Sequence, residues 1–447
     1  MFHRVFIANR GEVAARMVRA CQDLGIEAVC AASEADLAAG YPYLKEAAEV
    51  VCLGPGPANQ SYLKALEVIQ AAKQTQCSAI HPGWGFLAEN AEFASLCKQH
   101  GLTFIGPSPE TIDRMGRKVS ARASAIEAGL PIVPGSKGLL PNAEAAKIVA
   151  QEVGYPVVLK ADAGGGGRGI RRCDSADEID AAFTEAAREA ETAFGCAELY
   201  LEKYLLGGRH IEFQVMGDGR GKAIHFGERE CSIQRRHQKL LEEAPSSILT
   251  AEQRAHYGEL STRAAAFWNY SGAGTMEYLL ADDGKLYFLE MNTRLQVEHP
   301  VTEVICGVDL AQLQIRIAAG EDLPFTQEEI TLTGHAIEAR INAEDPDADF
   351  RPAPGTVERF VAPTQGRTDT HLVQGAKIPP HYDSLIAKVI VHADTRESAI
   401  ASTIEALNEM VVEGVPTTTP LHLRILAEPD FQQGNYDTLW LEKILKG

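Results

Sequence analysis

Glu290-Met-Asn-Thr-Arg-Leu-Gln-Val-Glu298 has a period of two. Glu290, Asn292, Arg294, Gln296 and Glu298 are polar; Met291, Thr293, Leu295 and Val297 are mostly apolar. An extended chain sends alternate side chains to opposite faces. The pattern predicts a strand with one face on a core and the other carrying two carboxylates, two amides and a guanidinium. Upstream, Thr275-Met-Glu-Tyr-Leu-Leu280 and Lys285-Leu-Tyr-Phe-Leu-Glu290 flank Ala281-Asp-Asp-Gly284. Asp-Gly between such runs signals a hairpin. A two-residue turn at Asp283-Gly284 pairs 282 with 285 and, further back, Glu277 with Glu290. Cβ atoms in such a pair lie about 4.5–5.5 Å apart. Carboxylates that close repel, and a hard divalent cation shared with nucleotide phosphates offsets them. A solvated acidic pair is the plainer alternative.

The composition, 447 residues with 45% hydrophobic and 23% charged, is that of a soluble globular enzyme of two to four domains. No apolar run reaches membrane-spanning length. The net charge of −19 argues against nucleic acid and anionic membranes as partners. The N-terminus lacks signal-peptide shape, and the nine cysteines are scattered without Cys-x-x-Cys spacing. Both features predict a cytoplasmic protein with reduced thiols.

Strands over 5–8 and 28–32 around a helix over 11–24 predict a doubly wound α/β opening. It lacks the glycine signature of a dinucleotide binder after its first strand. Helices at 61–75 and 90–100 and strands at 78–80 and 103–105 extend it. His81-Pro-Gly-Trp-Gly-Phe-Leu-Ala-Glu-Asn90 follows a strand, where α/β sheets bind ligands; the alternative is a tight turn with Trp84 and Phe86 tucked into the core. A strand over 155–160 runs into Ala161-Asp-Ala-Gly-Gly-Gly-Gly-Arg-Gly169. Four glycines are costly to order, and make sense where backbone N–H groups lie against phosphate oxygens. A second strand, 170–173, follows, and a helix begins only after Asp174. That context predicts a flap over phosphates, neither a Rossmann turn nor a Walker A loop. His210, Glu212 and Gln214 share one face of a strand over 210–216. Gln234-Arg-Arg-His-Gln-Lys239 concentrates donors and positive charge in an acidic chain, and predicts a local anion site. Ala336, Glu338 and Arg340 share one face of a strand over 335–341. Strands at 355–361 and 387–392 with helices at 396–410 and 419–427 predict a closing α+β unit.

Together these segments closely resemble the biotin carboxylase component of biotin-dependent carboxylases, in the ATP-grasp superfamily. The matching runs are Ile7-Ala-Asn-Arg-Gly-Glu12, His81-Pro-Gly83, Lys118-Val-Ser120, the glycine loop, Glu202-Lys-Tyr204, Gln234-Arg-Arg-His-Gln-Lys239, Gly274-Thr-Met-Glu277, Glu290-Met-Asn-Thr-Arg294, Gln296-Val-Glu-His-Pro300, Arg340-Ile-Asn-Ala-Glu-Asp345 and Tyr382-Asp-Ser384. They keep the family's order across nearly the whole chain. The resemblance implies an ATP-grasp fold, α/β and α+β in class. A doubly wound α/β domain is expected at 1–114. An ATP-grasp domain follows at 115–330, with a mobile glycine-rich lid at about 132–204, and a C-terminal α+β biotin carboxylase domain at 331–447.

The resemblance also implies a role for each matched residue. Lys118 and Lys160 bind ATP phosphates beneath Gly166 and Gly167 of the lid. Glu202, Lys203, Tyr204 and Leu205 form the adenine hinge, and His210 and His237 lie along the nucleotide. Glu277 and Glu290, helped by Asn292, hold Mg²⁺ (or Mn²⁺). Lys239, Arg294, Gln296 and the backbone of Val297 hold bicarbonate, and Glu298 is its general base. Arg340 stabilises the enolate oxygen of biotin, with Trp84 nearby. ATP-dependent formation of carboxyphosphate and then N1′-carboxybiotin follows, the first half-reaction of such a carboxylase. Two positions depart from the family, which more often has tyrosine at 84 and serine at 88 where this chain has Trp84 and Ala88.

Expected partners are a biotin carboxyl carrier protein or domain, a carboxyltransferase component and a second copy of the chain, with Arg16 and Arg19 as candidates for that contact. The final acceptor, acetyl-CoA or pyruvate, would place the enzyme in fatty acid biosynthesis or anaplerotic carboxylation. None of the seven methionines neighbours a lysine and the chain stops at Gly447, so biotin is expected on the partner rather than attached here. Three other readings stand beside this one. Another ATP-grasp ligase, such as a carbamoyl-phosphate synthetase half, has no need of Arg340 or the closing unit. A non-catalytic ATP sensor has no need of Glu298 and Arg294. A nicotinamide oxidoreductase would carry its glycines after the first strand.

Overall fold

A computed structural model describes residues 1–162 and 169–446. Its first layer is a five-stranded parallel sheet. The strands are β1 (Arg4–Ile7), β2 (Glu27–Ser33), β3 (Glu49–Gly54), β4 (Ala79–His81) and β5 (Thr103–Phe104), in the order β3-β2-β1-β4-β5. Helix Gly11–Asp23 joins β1 to β2 and buries Ala14, Met17, Val18 and Cys21. The strand order reverses between β1 and β4, and such a switch point opens a ligand crevice at the carboxyl ends of the strands. Here the crevice is bridged by Asn9, whose Nδ2 donates to the carbonyls of Pro82 (2.7 Å) and Trp84 (2.8 Å).

A smaller three-stranded antiparallel sheet follows: β6 (Val157–Ala161), β7 (Ile170–Cys173) and β8 (Leu199–Lys203), in the order β7-β6-β8. The third sheet is antiparallel and eight-stranded. It begins with β9 (Arg209–Asp218), β10 (Ala223–Arg235), β11 (Gln238–Ala244), β12 (Ser271–Leu280), β13 (Leu286–Asn292) and β14 (His335–Asn342). Strands Leu385–Ala393 and Arg367–Thr370 complete the order β13-β12-β9-β10-β11-β14, then Leu385–Ala393 and Arg367–Thr370. The sheet is therefore continuous across position 330.

Alternation along β9 gives this sheet its two characters. Ile211, Phe213 and Val215 enter a core with Tyr278, Phe288 and Leu260 of helix Ala251–Phe267. Glu212 and Gln214 face the other way. Glu290 stands opposite Glu277, Glu277 opposite Glu212, and Glu212 opposite Arg229, so one polar row crosses four strands. Arg229 is fully buried. Its Nε donates to Glu212 (2.5 Å), and its Nη atoms to Gln214 (2.8 Å), Thr302 (2.9 Å) and Thr275 (3.2 Å).

The expected opposition of Glu277 and Glu290 is present, but not by the expected route. The loop holds three residues, Asp282, Asp283 and Gly284, closed by the Gly284 amide on the Ala281 carbonyl (2.9 Å), with Gly284 at φ 77°. That loop sets Tyr278 against Phe288, and a bulge at Leu289 restores the Glu277–Glu290 register. The strand also stops at Asn292 rather than at Glu298. Beyond it, the alternation holds in irregular backbone only as far as Leu295: Thr293 and Leu295 are buried and Arg294 half-buried, but Gln296 and Glu298 are buried and Val297 is half-buried on the cleft.

Replacing Arg229 by leucine should cost about 3–5 kcal/mol, because it leaves Oε1 of the buried Glu212 carboxylate, and the Gln214 oxygen, without their charged donor. Urea denaturation of the Arg229→Leu variant measures this; a loss under about 1 kcal/mol, the scale of an ordinary substitution, would refute it.

Candidate active site

A cleft of about 1070 Å³ draws its walls from the segments that follow β1 and β4, from the three-stranded sheet and from the eight-stranded sheet. The Glu277–Glu290 end of the polar row lines it, and Glu212 and Arg229 lie buried behind. Lys239, at the start of β11, places Nζ 2.5 Å from Glu212 Oε2, 2.7 Å from Glu298 Oε1 and 3.0 Å from Glu277 Oε1. Burial disfavours the ammonium, but Glu212, Glu277 and Glu298 outweigh it and hold the Lys239 pKa well above its ordinary value. Glu277 is crowded with donors. Its Oε1 also accepts from Asn292 (2.8 Å) and Gln296 (3.1 Å), and its Oε2 lies 3.1 Å from His210 Nε2. Burial works against charge on Glu277, yet Lys239 and His210 keep its pKa far below the usual carboxylate range.

Glu290 has no such hydrogen bonds among the described residues. Its side chain is exposed in the cleft, where partial desolvation and then the charge of Glu277 raise its pKa against the pull of Lys118. The two facing carboxylates are thus unequal: Glu277 is already offset, and the repulsion falls on Glu290. Glu290, with Glu277 as a shared oxygen donor and Asn292 alongside, could hold a hard cation here. His210, Glu212 and Glu277 also bring ligand atoms within 4.8 Å of one another, but Lys239 is already bound to two of them.

Glu298 immediately precedes the helix His299–Cys306, makes no side-chain capping bond and is fully buried. Its second oxygen accepts from Arg340 Nη2 (2.8 Å), and Arg340 Nε donates to Glu242 (2.6 Å). Burial raises the Glu298 pKa, but Lys239, Arg340 and Arg229 outweigh it and depress it well below the usual value. Glu298 is therefore ionised, and a weak base until an incoming anion draws one of its cations away. Arg294 is fixed by Glu89 (Nε, 2.8 Å), Gln296 (Nη1, 2.7 Å) and Asn292 (Nη2, 3.0 Å). Trp84 is 8% exposed, and its ring lies 5.6 Å from that of His299. Phe86 stacks on Tyr62 at 5.1 Å. The loop's aromatics pack inward, as the tight-turn alternative held, while Trp84 still lines the cleft.

At the other end of the cleft lie Lys118, Lys160, Glu202, Tyr204, Leu205 and His237. Lys160 Nζ is 2.5 Å from Glu202 Oε2, and Arg122 pairs with the other Glu202 oxygen, so two cations occupy that carboxylate. The side chain of Lys203 donates to the carbonyls of Gly154 (2.9 Å) and Tyr155 (2.7 Å) and does not serve the cleft with its charge. The ring of Tyr204 carries the Arg172 guanidinium at 4.7 Å. The basic run 234–239 forms the tip of the β10–β11 hairpin, where Arg236 and His237 take left-handed φ values of 49° and 65°. Arg235 and Arg236 are both paired with Asp349, so Lys239 alone of the run's cations enters the acidic row. Gly166 and Gly167 lie outside the described residues.

Family models match in three consecutive pieces: the biotin carboxylase N-terminal domain over residues 1–112, the ATP-binding domain of the carbamoyl-phosphate synthase L chain over 117–326, and the biotin carboxylase C-terminal domain over 338–443. A biotin carboxylase from Nostoc sp. is 50% identical over the full length of both chains. The chain belongs to the biotin carboxylase family. Among solved structures, the biotin carboxylase domain dimer of Hydrogenobacter thermophilus 2-oxoglutarate carboxylase, in complex with MgADP, ADP and bicarbonate, matches at TM-score 0.94. It is 49% identical and covered at 99% of this chain and 98% of that one. The Campylobacter jejuni biotin carboxylase–β-γ-ATP complex matches at TM-score 0.95, with 45% identity and 99% coverage of each. The middle piece alone fits the carbamoyl-phosphate synthetase reading; the flanking pieces separate the two.

Within this biotin carboxylase fold several residues that hold the cleft's side chains carry no motif of their own. Glu89 binds Arg294 across 205 positions and Glu242 binds Arg340 across 98. Glu212 is legible as a face of β9, but its bond to Lys239 depends on the hairpin packing above it.

Because Glu290 bears the repulsion, Glu290→Gln should raise the denaturation midpoint of the ligand-free protein and abolish the further rise that Mg²⁺ gives with nucleotide. An unchanged Mg²⁺ response would remove Glu290 from the metal site. Burial, then Glu298, push the Glu242 pKa up to about 7 against the pull of Arg340. The folded protein then keeps a proton that the unfolded chain releases near pH 4.5. Wild type should lose stability relative to Glu242→Gln as pH rises from about 4.5 to about 7, with no further divergence above that window. Denaturation midpoints of both proteins across the window give the check; a flat difference refutes the shift.

Proposed function

We propose that this chain uses ATP and bicarbonate to carboxylate N1′ of biotin carried on a separate protein, through carboxyphosphate, releasing ADP and phosphate. The observation that carries the reading is the ionised, buried Glu298 bound by Lys239 and Arg340, with Arg294 held by Gln296 within range of its charge. MgADP and bicarbonate in the H. thermophilus relative support it. Lys118 and Lys160 hold the phosphates, and Lys160 must first leave Glu202. Glu202 to Leu205 line the adenine end, with His210 and His237 along the nucleotide and Gly166 and Gly167 in the lid. Mg²⁺ or Mn²⁺, held by Glu277, Glu290 and Asn292, supplies charge neutralisation at the phosphates when bound.

Arg294, Gln296, the Val297 backbone and Lys239 orient bicarbonate, and positioning accounts for much of the rate in such transfers. As Lys239 turns to the substrate anions, Glu298 loses a stabilising cation and becomes the stronger base that the proton transfer needs. Carboxyphosphate then delivers CO₂ beside biotin, whose developing enolate oxygen draws Arg340, next to Trp84.

We assign the units as 1–114, 115–330 with a lid at about 132–204, and 331–447. A biotin carrier protein and a carboxyltransferase component complete the system, in the cytoplasm. No helix among the described residues is long and apolar enough to cross a membrane. The dimer of the H. thermophilus domain supports a homodimer here. Arg16 is a poor candidate for that contact: it is 2% exposed and bound to Glu303 (2.9 Å) and Asp309 (2.7 Å), whereas Arg19 keeps about half its surface.

ATP cleavage by the purified chain should be slow alone and faster with bicarbonate and free biotin together. Glu298→Gln should keep ATP binding and lose roughly 10²–10⁴-fold in carboxylation. Insensitivity to biotin would defeat the assignment, and near-full carboxylation by Glu298→Gln would remove the base.

A further inference from the structure

The register of β14 with Leu385–Ala393 sets Lys388 directly opposite Arg340. Like charges in that arrangement are destabilising unless anions lie between them. Arg340 has Glu242 and Glu298. Lys388, fully buried, lies 3.0 Å from Glu12 Oε1 and 3.9 Å from Asp369 Oδ2, with the Trp84 ring at 5.1 Å. Yet neither oxygen of Glu12 receives a well-formed hydrogen bond. The Lys388 ammonium also donates to the main-chain carbonyl of Val297 at 2.8 Å. One of its three N–H groups is thus given to a neutral carbonyl in the turn that leads into Glu298, while the charge stays within ion-pair reach of Glu12.

We propose that Lys388 is a positioning residue for the bicarbonate site. Lys388 and Arg340 form two jaws on the Val297–Glu298 turn, one gripping its main chain and the other its carboxylate. The two jaws have different duties. Arg340 is the one that biotin draws away from Glu298, and while it is away Lys388 keeps the turn in place. Glu12 and Asp369 supply the charge that makes a buried ammonium tolerable there. Lys388 touches no substrate in this arrangement. The inference rests on the assignment of bicarbonate to the Val297–Glu298 turn.

The test is Lys388→Met combined with Glu12→Gln, so that removing the cation leaves one fewer unpaired carboxylate. ATP affinity should stay near wild type, while kcat/KM for bicarbonate falls about 10²-fold, the scale of a displaced reacting group. Unchanged kcat/KM for bicarbonate overturns the proposal. So does an equal loss of ATP affinity and bicarbonate use, which would make Lys388 a merely structural cation. Should the double variant not fold, Glu12→Gln alone decides, because it loosens the ion pair and leaves the Val297 bond. Bicarbonate KM as in wild type supports the clamp, and a marked rise overturns it. Glu298→Gln is run in parallel. Near-full carboxylation there takes the turn itself out of the reaction, whereas an inactive Glu298→Gln beside a wild-type-like double variant removes Lys388 alone.

Discussion

The ammonium of Lys239 among Glu212, Glu277 and Glu298 is the contact on which the rest of the cleft depends. Three buried carboxylates on adjacent strands and one turn could not stay ionised together without it. Arg229 beneath Glu212 and Arg340 beside Glu298 extend the same arrangement, so that each of these carboxylates is shared between two cations. Such a lattice is costly to desolvate and contributes little to net stability compared with apolar packing. Its value lies in geometry: every group is held by at least two others. It also lets a substrate anion change the basicity of Glu298 simply by competing for Lys239.

Much of the fold was legible because the sequence is locally consistent. Alternation placed His210, Glu212 and Gln214 on one face of β9, and helix Thr419–Ala427 occupies the span its pattern indicates. The Glu277–Glu290 opposition was legible for a reason that was partly wrong. A three-residue loop and a one-residue bulge at Leu289 shift the register in opposite senses and cancel. Period two reports which face a residue takes, and it survives a bulge poorly; here a second irregularity rescued it.

The rest was hidden because it is made by partners far apart in the chain. Glu89 on Arg294, Arg122 on Glu202 and Asp349 on the 235–236 arginines are settled by how the layers meet. Charge counting gave the basic run 234–239 a single purpose, whereas packing divides it, with two arginines closing a surface contact and Lys239 entering the acidic row. Arg16 looked available on an amphipathic helix, but that face is inside. Motif matching marks the residues that meet substrates and passes over those that hold them.

The continuity of the eight-stranded sheet past position 330 has a practical bearing on dissecting the protein. β11 pairs with β14 from Leu241–Ala339 to Ala244–Ala336. A fragment ending at 330 would strip β11 of that neighbour and leave a row of unsatisfied amides and carbonyls beside Leu241 and Ala244. Bare edges of that kind recruit other strands. Such a nucleotide-binding fragment should self-associate unless the edge is blocked, for instance by charge or proline on β11. A cut chosen from family boundaries separates what the hydrogen bonds join.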